Sequence, residues 1–252
     1  MDRALDTRLE RPAERVHRTG LSPARVASAL ALSSWAGLFW FLIGSGRTSL
    51  YLSSRTDWVV PVGAIVLTAA LAGRLLSLRT AGPPEALTRR EALAIGVTIL
   101  PVVTVLALPP ASLGSFAADR RSSLASAGFS GDAGDISSGE VSLVDVASAL
   151  RSGEGMQQLT TRAGAEVGFV GFVTRDPGMP ADEFLLTRFL VSCCAADALS
   201  VQVRIVGAPP GRFEADQWVR AEGRLYPLGG EVIVDATDVV GVPRPARPYL
   251  NS

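Results

Sequence analysis

Eighteen consecutive residues without a charge, Val26 to Ile43 (VASALALSSWAGLFWFLI), set the first limit on what this chain can be. A helix needs roughly 20 mostly apolar residues to cross the ~30 Å hydrocarbon core of a bilayer, and this run meets that need within a turn. Its last part carries Trp35, Phe39, Trp40 and Phe41, the residue types that settle at a membrane interface. Two further apolar segments follow, and no small-residue cleavage site precedes them. The first segment therefore reads as a retained anchor rather than a secretion signal. Trp58 to Leu78 forms the second span, with Arg74 near its end where a long side chain reaches the headgroups. Ala92 to Leu108 forms the third and contains Pro101, tolerable in lipid only when a neighbouring helix or a threonine meets the freed carbonyl.

Arginine placement gives the orientation. Arg11, Arg15, Arg18 and Arg25 before the first span, with Arg79, Arg89 and Arg90 between the second and third, outnumber Arg47, Arg55, Arg120 and Arg121 on the other side. By the positive-inside rule the N-terminus is cytoplasmic and everything after Pro110 is not. The spans hold no Asp, Glu, Lys or His at mid-depth, the groups that helices moving ions by themselves use. They do carry small residues every fourth position: Ala29, Ser33 and Gly37 on the first, Ala64, Thr68 and Ala72 on the second. Such faces allow close helix packing. His17, the single histidine, lies in the Arg-rich segment 1–23 and reads as a surface residue.

The three-helix region covers 24–110. The stretch 111–139, rich in Ser, Gly, Ala and Asp and without apolar periodicity, reads as a flexible tether. Segment 140–252 is the outer domain. It opens with a short helical pattern, Val141 to Leu150, and a Gly-containing loop. The period then shifts to that of strands: Glu166–Thr174, Phe184–Cys194, Leu199–Val206, Gln217–Tyr226 and Glu231–Val240, separated by Pro- and Gly-rich turns. Five short strands in about 75 residues, with Gly168, Gly171 and Gly223 where a barrel must bend, suggest an OB-like five-stranded barrel, with a small β-sandwich as the fallback. The tail Val242 to Tyr249 has three prolines and should run extended, on the barrel or toward a partner. From Ala163 onward eight arginines face eleven carboxylates, a net charge of −3, which argues against a nucleic-acid surface.

Both cysteines lie side by side in Phe184–Asp197 (FLLTRFLVSCCAAD). On a regular strand adjacent side chains point to opposite faces, so Cys193 and Cys194 reach one metal ion only if the strand ends or bulges there. With a bend before Asp197, the three residues offer S, S and O ligands to a borderline metal such as Zn2+, with the fourth position left to water or a partner. Three other readings stand beside this one: small core residues, a vicinal disulfide, or a reactive thiol. Arg188 lies six residues from Cys194, about 20 Å along a strand, and reads as a structural ion pair or a partner contact. No pairing of nucleophile and base suggests an enzyme.

GFVTRD, RFLVSCCAAD, DQWVRAEGRL, VIVDATDVV and the closing PxxPY, behind apolar N-terminal spans, resemble the YcgQ-like bacterial membrane proteins, a family described as permease subunits. The resemblance is most specific at Arg188, Phe189, Cys193, Cys194, Asp197, Asp216, Trp218, Gly223, Pro245, Pro248 and Tyr249. It implies an accessory subunit in the cell membrane beside a multi-span permease that supplies the pore; a self-contained metal-binding or thiol-redox protein of the outer face, or a structural envelope-interaction protein, stands as the alternative. It also gives the cysteine motif more weight, as a place for substrate or metal, than periodicity does. Arg188, Phe189, Asp216, Trp218 and Tyr249 stand as a partner-facing or structural motif.

Overall fold

The computed structural model describes residues 23–78, 87–108, 111–120 and 140–251. The segment 1–22, His17 included, lies outside the described residues, as does 121–139. Two units emerge: Met1–Leu38 with Ala64–Ala107, and Phe39–Gly63 with Leu108–Ser252.

Helices α1 (Pro23–Gly44), α2 (Val59–Leu78) and α3 (Arg89–Ala107) are each long and apolar enough to cross a membrane. In the first unit the polar groups on these helices meet one another. Arg74 Nε donates to Ser28 Oγ at 2.8 Å, tying the last turns of α2 to the first turns of α1. Trp35 Nε1 donates to the Thr98 carbonyl at 2.9 Å. That carbonyl follows the one Pro101 leaves without its N–H, so α1 supplies a donor where α3 is weakened. Ala29 and Ala64, from the two small-residue faces, are buried. Large side chains point outward: Leu30, Ile65, Leu76, Leu93, Val97 and Leu100 are all 60% or more exposed. An apolar surface of that kind needs lipid or protein around it.

The second unit is built on a closed five-stranded mixed barrel of β1 (Glu166–Thr174), β2 (Phe184–Val191), β3 (Leu199–Val206), β4 (Trp218–Leu228) and β5 (Glu231–Gly241). The strands follow one another around it as β1-β2-β3-β5-β4 and back to β1. All neighbours are antiparallel except β3 and β5. Alternate residues fill the interior, among them Phe169, Phe184, Leu186, Ile205 and Leu225, each fully buried. Burying a side chain of that size contributes about 1.5–3 kcal/mol. Gly223 sits at a register shift between β4 and β5, where a Cβ would lie 2.1 Å from the Asp235 carbonyl oxygen. Only glycine lets the two backbones approach this closely at the bend.

Two helices complete the core. Ser142 and Asp145 cap α5 (Leu143–Ala149) reciprocally, and Ser152 caps α6 (Gly153–Thr160) by accepting from Gly155 N–H at 3.0 Å. Val146 and Leu159 seat them on the barrel core with no exposed surface. The sequence reading finds α5 but treats α6 as loop, because Gly153 and Gly155 lower its intrinsic helicity. The cap and the buried Leu159 outweigh that deficit.

β1 and β2 pair only from Phe172 to Thr174, and beyond that point their edges separate. The tail fills the gap with β6 (Leu250–Asn251), parallel to Leu190 and Val191. The outer wall here is apolar, with Phe172 ring centroids 5.8 Å from Phe189 and 5.7 Å from Trp218. Tyr249 and helix α4 (Ser115–Ala118) cover it. Thus the first part of the stretch read as a tether is ordered against the barrel, and the extended tail lies on it.

Candidate functional site

β2 ends at Val191 because the next three N–H groups turn to a side chain instead of a strand. Asp197 Oδ1 accepts from Ser192 N at 3.0 Å, and Oδ2 accepts from Cys193 N at 2.7 Å and Cys194 N at 3.3 Å. The 3-10 turn Ala195–Asp197 brings the carboxylate back under the residues it holds. This bend overrides the alternation of a strand. The two sulfurs come to the same side, 3.6 Å apart, as free thiols. One ligand atom from each of Cys193, Cys194 and Asp197 lies within 4.8 Å of the others.

That spacing fits a metal. Two sulfurs bound at about 2.3 Å to a tetrahedral Zn2+ stand about 3.8 Å apart, close to the separation of the free thiols. Cys193 is exposed and Cys194 half-buried, so an ion could reach both, and the reading of these residues as core cysteines fails. The Cys193 thiol is pushed up to about 12, chiefly by donating to the Asp197 carboxylate and then by its bond to Cys194. Burial by itself would raise the Asp197 carboxyl. The Cys193 thiol and the N–H groups of Cys193, Ser192 and Cys194 outweigh it and hold the carboxyl below its usual value.

A second segment builds the other wall of this turn, and the sequence reading does not find it. Leu52, in the connection from α1 to α2, bridges antiparallel to Cys194. Ala195 N donates to Tyr51 O at 2.8 Å, Ser53 N to Cys193 O at 3.1 Å, and Ser53 Oγ to Ser192 O at 2.8 Å. Thr56 Oγ1 adds a bond to Cys193 O at 2.5 Å. Every backbone carbonyl from Ser192 to Cys194 is thereby engaged, the last by Asp197 N. The only hint in the sequence is a cluster of short hydroxyl side chains, Ser53, Ser54 and Thr56, which serves many loops equally well.

The remaining motif residues brace this arrangement from the barrel wall. Arg188 donates from Nε to Pro248 O at 3.0 Å and from Nη2 to Arg247 O at 2.9 Å, and its guanidinium lies 5.9 Å from the Trp218 ring. Its partners are backbone carbonyls, these two of the tail and Val170 O of β1 at 3.5 Å from Nη1, not the carboxylate of an ion pair, and burial lowers its pKa. Tyr249 OH donates to Leu50 O at 3.0 Å and accepts from Leu113 N at 3.2 Å, joining the tail, the α1–α2 connection and the chain before α4. Asp216, at φ 66°, accepts from Ser115 N at 2.5 Å and Ser115 Oγ at 2.9 Å. Gly114 leaves room for that carboxylate, since a Cβ there would meet Asp216 Oδ1 at 2.5 Å. Phe189 and Trp218 lie in the apolar wall.

Residues 153–251, from α6 through the barrel and its tail and including Cys193, Cys194 and Asp197, match the profile of the DUF1980 C-terminal domain. No curated protein matches the chain.

Proposed function

We propose that this chain is an accessory subunit of a membrane permease, of the YcgQ-like kind, and that its outer domain holds a thiophilic divalent ion such as Zn2+ at Cys193, Cys194 and Asp197. The observation that carries the reading is the convergence of two thiols and a carboxylate on one exposed turn, at the spacing of a tetrahedral site with one position open. An open position suits an ion that is handed on rather than locked in. A redox role is the second reading. It has less support, because a reactive thiol needs a lowered pKa and that of Cys193 is raised.

In this reading α1, α2 and α3 cross the bilayer with the N-terminus in the cytoplasm, as the arginine distribution favours, and the barrel stands outside it. The helices lack mid-depth ionisable groups, so the pore belongs to a multi-span partner, and their exposed apolar flanks offer it a surface. The full chain, tagged and extracted in mild detergent, is expected to bring down a multi-span membrane protein in stoichiometric amount. Recovery of the folded chain alone would overturn the subunit assignment and leave the metal site as a separate question.

A further inference from the structure

The turn that holds the thiols is tied to the chain at the start of a membrane-length helix. Thr56 Oγ1 donates to Cys193 O, and Thr56 O accepts at 3.0 Å from the N–H of Val59, the first residue of α2. Trp58 is 60% exposed, and Val59 and Val62 on the first turn of α2 are 47% and 48% exposed. Two residues of chain reach at most about 7 Å, so Trp58 lies close to the turn. The rest of the segment 45–58 is fixed as firmly. Ser49 Oγ donates to Ala246 O at 2.9 Å, Leu50 O accepts from Tyr249 OH, and Asp57 pairs with Arg247 at 3.3 Å. Tyr51 and Ser53 are bonded to the turn itself. The segment therefore has no slack with which to lift this end of the barrel from the helix ends at 39–44 and 59–63, which belong to the same unit.

The surface around those helix ends has the composition of a lipid interface. Trp40 and Phe41, near the end of α1, are 50% and 40% exposed, and Phe116 of α4 is 70% exposed. Leu113, just before α4, meets the Tyr249 hydroxyl beside Leu50, which brings α4 to the same end. Each of these phenylalanines carries an arginine: Arg47 lies 5.1 Å from the Phe41 ring and Arg120 3.8 Å from that of Phe116. The segments 39–63 and 111–120 hold Arg47, Arg55 and Arg120 against Asp57 and Asp119, and Asp57 is already paired with Arg247. A ring beneath a guanidinium suits the headgroup layer, with the ring at the acyl boundary and the cation among the phosphates. We propose that this end of the second unit is seated in the phospholipid headgroups of the leaflet where α1 ends and α2 begins, so that the Cys193–Cys194–Asp197 turn opens at the bilayer surface. The inference rests on the reading of α1 and α2 as membrane spans, and not on the metal or the permease. An ion held at the turn would exchange at the membrane surface rather than in bulk solvent.

Three full-length chains test it, each with one cysteine on a Cys193→Ser, Cys194→Ser background, labelled with a nitrobenzoxadiazole fluorophore and placed in phosphatidylcholine nanodiscs. Ser192→Cys puts the label beside the turn, Val66→Cys on an exposed position of α2, and Asp176→Cys on the exposed connection from β1 to β2. That connection leaves from the Thr174–Leu185 pair, about 20 Å along β2 from Val191. A nitroxide on the lipid headgroup is expected to quench the Ser192 label about threefold more than the Asp176 label, given that separation. A nitroxide deep in the acyl chain should quench the Val66 label most. Headgroup quenching at Ser192 no greater than at Asp176, with Val66 quenched from the acyl chain, would overturn this inference and leave the spans standing. A Val66 label untouched by the acyl-chain nitroxide would overturn the spans and this inference with them.

Discussion

Replacing Asp197 with alanine is expected to speed alkylation of Cys193 by iodoacetamide at pH 8 at least tenfold, measured in a Cys194→Ser background by mass spectrometry. With Asp197 and Cys194 both present the thiol sits near 12, where about one molecule in ten thousand carries a thiolate at pH 8, and Cys194→Ser removes only the lesser of the two hydrogen bonds that raise it. Without the carboxylate the thiol returns toward its ordinary value of about 8.5, where roughly a quarter is ionised. The thiolate released is less nucleophilic, by close to half a logarithm per pKa unit, which offsets about half of the gain in population on a logarithmic scale. A net increase of at least tenfold remains. Alanine also frees the three N–H groups that shape the turn, which loosens it in the same direction. Asp197→Asn keeps an acceptor there without the charge and should fall between. An unchanged rate in both variants would mean the carboxylate does not hold the thiol proton.

The second large effect is on zinc. Affinity measured by competition with a chromophoric chelator is expected to rise at least a hundredfold from pH 6 to pH 8. The metal binds the thiolate, so each ion must displace the Cys193 proton. A thiol near 12 is protonated throughout this window, and each pH unit raises its ionised fraction tenfold. The Asp197 carboxyl, held below its usual value, is ionised across the same range and adds no slope. A flat profile would point to carboxylate binding without thiolate.

Much of this fold can be read directly from the residues, and the exceptions share a cause. β1 and β3 fall where the two-residue alternation puts them, at Glu166–Thr174 and Leu199–Val206, and β5 runs one residue beyond its expected end. Apolar runs likewise mark α1, α2 and α3 to within three residues at either end. β2 is the instructive case. Its apolar pattern continues to Cys194, but the strand stops at Val191, because Asp197 takes the N–H groups that the next pairs would have used. That side chain also turns two sulfurs from opposite faces to one. The motif Cys-Cys-x-x-Asp holds this information only once a bend is assumed, which is why periodicity alone leaves four readings of the cysteines open.

What could not be read from the sequence was contact between distant segments. Nothing in Tyr51–Thr56 announces that it will pair with Cys193–Ala195, roughly 140 positions away, through carbonyls and short hydroxyls that every loop possesses. Arg188 is a similar case. An arginine among Leu186, Phe189 and Leu190 suggests a carboxylate partner, yet it finds two tail carbonyls instead, and only the closing of the tail over the wall supplies them.

The most direct measurement is the metal content of the full chain, purified in detergent from zinc-supplemented medium, beside that of the Cys193→Ser, Cys194→Ser double variant. The full chain is needed because the α1–α2 connection forms one wall of the turn. The account predicts about one zinc per wild-type chain and none in a double variant that melts at the same temperature. A metal-free wild type with two titratable thiols, or zinc retained by the double variant, would contradict it.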